Sequence, residues 1–390
     1  MRAPTPAAPV QPGWPGQLLR TPRLLAAGLA VAGLGTLAGC ADLGYYWQSV
    51  RGHLTMLTAA RPVNDWLSDD AAPALLKTRL ALAREIRGFA VASLGLPDNP
   101  SYHRYADLHR SAVVWNVVAA PIDSLQLKTW CFPVAGCVGY RGYFDEAEAK
   151  LTAQQLQAGG LEVVVQGVPA YSTLGWMNWA GGDPLLSTFI GYPADELARM
   201  VFHELAHQVA YAPGDMAFNE SFATAVERLG LARWQQAQAG QRTEAARLAY
   251  AVFDSRRRDF RALTQATRHE LTAIYAQKKA FPHDPSHFLA VKSVVMEQFR
   301  ARYAALKSGW GGYAGYDPWV ARANNAAFGA QAAYDDMVPA FEALFARHGG
   351  DWNRFYDAVR KLAKLPRADR RTALGLTDTA ADDKQEKTDG

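Results

Sequence analysis

Between residues 193 and 211 the chain reads PADELARMVFHELAHQVAY. His203, Glu204 and His207 in it form the pattern HExxH. On an α-helix, residues four apart differ by about 40° in direction and one turn in height. The two imidazoles therefore share a face and can bind one metal ion, with Glu204 beside them in reach of a metal-bound water. With 9 His among 390 residues, the pattern is expected by chance only roughly 0.007 times in such a chain.

A third ligand is offered by residues 217–229, AFNESFATAVERL. Pro213-Gly214-Asp215 breaks the first helix, and a second helix can begin near Phe218. A chain that turns back after so short a loop presents Glu220 to the metal face. Glu227 lies seven residues on, about 20° short of two turns, where it can orient a ligand His; a solvated surface role is its alternative. Two neutral imidazoles and one carboxylate suit a single Zn2+ with a fourth position open. Zinc lowers the pKa of bound water to about 7, and Glu204 is placed to take the proton and deliver it to a leaving amine.

The elements that must position these groups are legible from periodicity. Pro193 suits a first helical turn, Asp195 and Glu196 suit the positive end of the helix dipole, and Leu197, Val201, Leu205 and Val209 make an apolar stripe. Residues 41–68 read as helix-rich with a break at Pro62. Residues 71–96 have helical spacing at Leu75, Leu76, Leu80, Leu82, Ile86 and Val91, ended by Gly95 and Pro97. From about 99 to 192 the texture is β-like, clearest in Ala112–Ala119 and in Leu161–Gln166, which Gly167 and Pro169 stop. After 193 helix prevails to about 365. The expected class is α+β, with a small mixed sheet next to the HExxH helix and a mostly helical C-terminal part. Residues 371–390, above all the polar run from Thr377, read as a disordered tail. Arg256–Arg258 read as a solvated basic face, and His283 and His287, among prolines, as loop residues.

With 49% hydrophobic and 20% charged residues, the composition excludes a disordered chain. The formal charge of +4 includes Arg2, Arg20 and Arg23 ahead of Cys40; without them it is 4 − 3 = +1, which offers no field for nucleic acid. Residues 24–37, LLAAGLAVAGLGTL, are too short to span a bilayer, which needs about 20 apolar residues, and match the core of a secretory signal. The LAGC that follows resembles the bacterial lipobox, with Cys40 as the lipidated residue; a buried Cys beside a soluble signal peptide is the alternative. Residues 1–39 are then a signal peptide, and 40–370 the domain. Cys131 and Cys137 remain, and in an oxidising compartment C-x5-C favours a small disulfide loop over zinc binding. The expected location is the bacterial cell envelope, lipid-anchored and facing the periplasm, with Asp42 pointing to the outer membrane rather than the inner.

HELAHQ followed by NESFATAVE resembles the gluzincin metallopeptidases, in particular zinc aminopeptidases with an HELAHQ…NEGFA…E arrangement. With the lipobox, WCFPVAGCVGYRGYF, AYSTLGW and YDDMVPAFEALF, the chain resembles a bacterial zinc aminopeptidase lipoprotein family over most of residues 37–365. The resemblance implies a zincin-like fold, His203, His207 and Glu220 as ligands of one Zn2+, and Glu204 as general base. It also implies a downstream Tyr or His that donates to the oxyanion: Tyr334, with Tyr316 and His287 behind it. An edge strand holding Thr173, Leu174 and Gly175 would pair with extended substrate. Asn324 and Asn325 are candidates for contacting the substrate main chain, with cap or turn roles as the alternative. The large aminopeptidases carry an amine-binding Glu in this edge segment, whereas YSTLGWMNWAGG has no carboxylate before Asp183. The implied activity is hydrolysis of peptide bonds in a peptide or protein substrate, as an aminopeptidase. An envelope endopeptidase and a non-catalytic zinc-binding scaffold are the alternatives.

Overall fold

The computed structural model describes residues 44–132, 135–240, 242–277 and 285–376, with the backbone alone at 285–287. The leader, Cys40 and His283 lie outside these residues, as does the side chain of His287. The chain divides into two units between residues 48 and 49; the first is described only over the helical residues 44–48, and the described residues of the second are compact.

The first half runs α1 (44–59), β1 (Arg61–Pro62), α2 (Val63–Ser68), α3 (Ala74–Leu94), β2 (Arg104–Ala106), β3 (Val114–Pro121), β4 (Trp130–Phe132), β5 (Gly136–Val138), β6 (Arg141–Tyr143), α4 (Glu146–Ala158), β7 (Leu161–Val168) and β8 (Leu185–Leu186). Helices follow: α5 (Ala194–Ala206), α6 (Met216–Ala237), α7 (Glu244–Gln277), α8 (Pro285–Gly309), α9 (Asp317–Ala321), α10 (Asn325–Asp335), α11 (Val338–Arg347), α12 (Trp352–Ala363) and α13 (Arg367–Ala373). The α+β class is thus observed. No described helix is long and apolar enough to cross a membrane.

The largest sheet has the order β6-β3-β7, entirely antiparallel, with Val114 opposite Val168 and Pro121 opposite Leu161. Val118, Ala120 and Val164 pack on Ala326 of α10, and α4 also packs against β3 and β7. A strand covered on both faces needs a near-continuous apolar run, which β3 supplies. β7 continues past Gly167, which pairs with Trp115, so the glycine does not stop the strand. The mixed sheet is the smaller one, β1-β2-β8, with β2 and β8 parallel. Its Tyr105, Ala106, Leu185 and Leu186 share one core with Leu197, Val201, Phe202 and Leu205 of α5.

That core is completed by α3, α6, α11 and α12. Gly95, in the left-handed conformation, closes α3 with its N–H on Ala90 and Val91. Gly230 on α6 is required by close approach, since a Cβ there would lie 2.8 Å from Leu94 and 3.0 Å from Phe202. A second core joins α7 and α8 through Phe260, Leu263, Leu271, Met296 and Phe299. The ordered chain extends beyond the expected limit at residue 370. α13 runs to Ala373 and Leu374 is buried, because the Arg370 guanidinium is ion-paired with Asp215 and bonded to the carbonyls of Leu362 and Leu365. Residues 377–390 lie outside the described residues.

Candidate metal centre

α5 buries Leu197, Ala198, Val201, Phe202, Leu205 and Ala206, which leaves His203 and Glu204 on its remaining face. His207 is the C-cap, so the second imidazole stands on the last turn, where its N–H meets the His203 carbonyl. The chain then turns back within a few residues. Asn219 fixes that turn from the next helix: its side chain accepts from Ala212 N–H at 2.8 Å and donates to the Ala212 carbonyl at 2.9 Å. Asp215 caps α6 by accepting from Phe218 N–H at 3.1 Å. The antiparallel return brings Glu220 to the face of α5.

Three donor atoms converge. Glu220 Oε2 is 3.3 Å from His203 Nε2 and 3.6 Å from His207 Nε2, and the two Nε2 atoms are 3.2 Å apart. His203 Nδ1 donates to Glu227 Oε2 at 3.0 Å, which leaves the Nε2 lone pair facing the centre. The other Glu227 oxygen is paired with Arg199. From Arg199 the alternation continues through Glu196 at 3.8 Å to Arg257 at 3.0 Å. Arg257 is therefore part of a charge network behind the centre, and the reading of Arg256–Arg258 as a solvated face is corrected for it.

The electrostatics fit a cation at this point. Burial opposes charge on His203, yet Glu220 and Glu227 outweigh it and hold the imidazole well above its ordinary range. Burial would keep the Glu220 carboxyl neutral, but His207 and His203 drive it far below the usual carboxylate range. Glu227 is likewise taken against burial, by Arg199 and His203, down to about 2. Two imidazole nitrogens and a carboxylate turned on one point repel one another unless positive charge lies between them, and a 2-His-1-carboxylate set suits Zn2+. His207 Nδ1 is buried without a hydrogen-bond partner among the described residues.

Glu204 sits beside this cluster, half-buried. Burial raises its pKa, His203 and His207 draw it down, and Glu220 and Asp183 push it up again. Tyr334 is brought to the centre: its ring stacks over His203 at 6.2 Å and 22°. The Glu220 charge, then burial, raises the Tyr334 pKa well above that of a free phenol. Ser221 makes this placement, since its hydroxyl donates to Ala333 O at 2.9 Å and accepts from Met337 N–H at 3.2 Å. Tyr316 is placed elsewhere, stacked on Phe260 at 4.1 Å in the α7–α8 core. Asn324 caps α10 and donates to Val163 O, while Asn325 is buried against Glu162 and Pro121, so both serve structure.

The segment holding Thr173, Leu174 and Gly175 is a turn, which corrects the expectation of an edge strand. Thr173 N–H donates to the Asp183 carboxylate at 3.0 Å, and Leu174 and Gly175 take φ of 56° and 79°. Ladder pairing is impossible with two successive left-handed residues. Cys131 and Cys137 are bonded to each other across the β4–β5 pair.

A family model described as "Putative aminopeptidase" matches residues 44–374. The chain belongs to that family. The match takes in both helices of the centre and Tyr334 of this aminopeptidase-family chain. No curated protein and no solved structure matches it. Several groups at the centre escape a reading of motifs. Arg199 stands four residues before His203 on the same helical face, a usable signal. Asn219 and Ser221 flank Glu220 and have one too. Tyr140, whose pKa burial and then Glu220 raise far above the usual range, is joined to the centre only by the tertiary fold.

Proposed function

We propose that this chain is a zinc-dependent peptidase that cleaves peptide bonds as an aminopeptidase. The observation that carries the reading is the convergence of His203, His207 and Glu220, whose ligand atoms lie within 4.8 Å of one another, with Glu204 beside them. His203, His207 and Glu220 would hold the ion, and Glu227 fixes the His203 ring. When bound, zinc supplies Lewis acidity toward a carbonyl and lowers the pKa of water to about 7. Glu204 takes the proton of the attacking water and hands it to the departing amine, a task suited to a carboxylate that burial has made more basic. The Tyr334 hydroxyl, on a ring stacked against His203, donates to the carbonyl oxygen as negative charge develops there. Attachment to the bacterial envelope through a lipidated Cys40 belongs to the same proposal and rests on the LAGC sequence.

The test uses the zinc-loaded chain with a peptide mixture and its N-acetylated copy, read by mass spectrometry. Stepwise loss of single residues from free amines alone is expected. Glu204→Gln should retain zinc by metal analysis and lose turnover. Full activity in that variant would remove Glu204 as base, and internal cuts in both mixtures would make the chain an endopeptidase.

A further inference from the structure

A cleft of about 260 Å3 opens beside the metal centre, with His207 in its lining. Leu174, Trp176, Val209, Ala210 and Pro213 wall it together with Gln208 and Tyr211, and among the described residues no Asp, Glu, Lys or Arg lines it. Trp176 is 65% exposed, a large indole left in solvent at the edge of a catalytic cleft. Leu174 lies on the opposite count of oddities: it holds a φ of 56°, a conformation that costs a residue with a Cβ and that glycine adopts freely. A leucine held there sets an apolar side chain in the cleft wall at a place where glycine would sit without strain.

The wall is also held rigidly to the zinc helix. Asp183, fully buried, accepts from Thr173 N–H and from Gln208 Nε2 at 3.3 Å. Gln208 is the residue after His207, and its side chain reaches Ser101 at 3.1 Å and Asn99 at 2.7 Å. The turn that carries Leu174 and Trp176 therefore keeps a fixed distance from the reacting centre. Backbone strain supported from beneath, in contact with a metal ligand's cleft, marks a preorganised binding surface.

We infer that this cleft receives the side chain of the substrate's N-terminal residue, and that it selects bulky apolar side chains such as Leu, Met and Phe. The inference rests on the peptidase reading and names its substrate class. An apolar side chain there leaves water for apolar contact, whereas an ammonium or carboxylate would lose hydration and find no oppositely charged Asp, Glu, Lys or Arg side chain in the lining. Discrimination of roughly 10- to 100-fold in kcat/KM is expected between Leu and Lys or Asp.

The experiment compares X-Ala-Ala peptides, with X as Leu, Phe, Ala, Lys or Asp, on zinc-loaded wild type, Trp176→Ala and Leu174→Gly. The wild type should prefer Leu and Phe, and each variant should lose more on Leu than on Ala. A wild type that prefers Lys, Asp or Ala, or variants that lose equally on every peptide, would overturn the inference. A second readout is independent of turnover. In 5-fluorotryptophan protein, the 19F signal absent from Trp176→Phe is that of Trp176. It should shift with Leu-Ala-Ala and stay in place with Lys-Ala-Ala or Asp-Ala-Ala. That shift without cleavage of any peptide would sink the peptidase reading and leave the cleft assignment standing. An unmoved signal, or one moved equally by all peptides, would sink the cleft assignment.

Discussion

Glu227→Gln separates a residue that tunes a metal ligand from one that merely neutralises a buried arginine. In the wild type one carboxylate oxygen accepts from His203 Nδ1 at 3.0 Å and the other pairs with Arg199. The Arg199 and Glu227 side chains are 10% and 13% exposed, so solvent screens little of the interaction. Gln keeps the shape and one acceptor but removes the charge. Loss of a carboxylate behind a ligand imidazole typically costs about 10- to 100-fold in metal affinity, or about 1.4–2.8 kcal/mol. Fold stability should fall too, since among the described residues Glu196, 3.8 Å away, is the carboxylate left to pair with Arg199. Unpairing a buried charge that retains a weaker partner costs about 2–3 kcal/mol. The titration of Glu227 gives a second route to that figure. Its pKa, held near 2 in the fold against 4.5 as a free group, corresponds to about 3 kcal/mol.

The sign fixes where this appears. A depressed carboxylate stabilises the fold fully above its unfolded pKa, and the contribution fades as pH falls from about 4.5 toward about 2. Zinc affinity would be read by competition with a chromophoric chelator, and stability by urea melts in excess EDTA between pH 3 and 7. The variant should bind zinc about 10- to 100-fold more weakly and show a shallower loss of stability on acidification. Unchanged zinc affinity with the full stability loss would reduce Glu227 to an ion-pair partner. No change in either quantity would refute the reasoning altogether.

Three further outcomes are expected. Glu220→Ala should abolish tight zinc binding while the far-ultraviolet circular dichroism is kept; affinity within threefold of wild type, an estimate of assay scatter of about 0.7 kcal/mol, would remove Glu220 from the ligands. Phe222, fully buried against Phe341, Phe355 and Tyr356 on the same helix as Glu220, should cost about 3–5 kcal/mol when cut to Ala; a urea melt showing less than about 1 kcal/mol would contradict the packing described. Asp183 has its pKa raised by burial, with hydrogen bonds from Thr173, Ser172 and Gln208 pulling partly back. A carboxyl raised in the fold withdraws stability as pH climbs from its unfolded value through the raised one, so Asp183→Asn should gain on wild type across that interval. A stability difference independent of pH would show that Asp183 does not titrate there.

What the sequence made legible follows the range of the interactions involved. His203 and His207 share a face because helix geometry alone puts them there, and Glu220 follows because a loop this short leaves the chain no route but back along α5. The strands β3 and β7 were readable from local apolar runs, within a few residues at their ends. The edge strand expected at Thr173–Gly175 came from the family resemblance, which carries no signal of a turn whose shape is set by a carboxylate ten residues further on. Arg257 looked like a solvated charge because its partner, Glu196, is 61 residues away in sequence. Helix α13 runs past the expected limit at residue 370 for the same reason: Arg370 is held by Asp215, 155 residues earlier. Tyr334 was reached through family resemblance, not through any spacing, and Tyr140 was missed for want of either.

The charges around the centre explain why these long-range pairs exist at all. Glu204, Glu220 and Glu227 bring three carboxylates to two imidazoles, and Arg199 is the guanidinium paired directly with one of them. With the imidazoles neutral, that leaves two negative charges in a largely buried place, a cost the fold can bear only if a divalent cation or protons offset it. The raised pKa of His203 is the proton alternative to that cation. Arg199 could have cancelled less or more, but its second acid, Glu196, is itself shared with Arg257. The network therefore keeps Glu227 charged and aimed at His203 without adding a further cation to the centre. Counted over these groups the balance stops two short of zero, which is in keeping with the divalent ion of the proposed function.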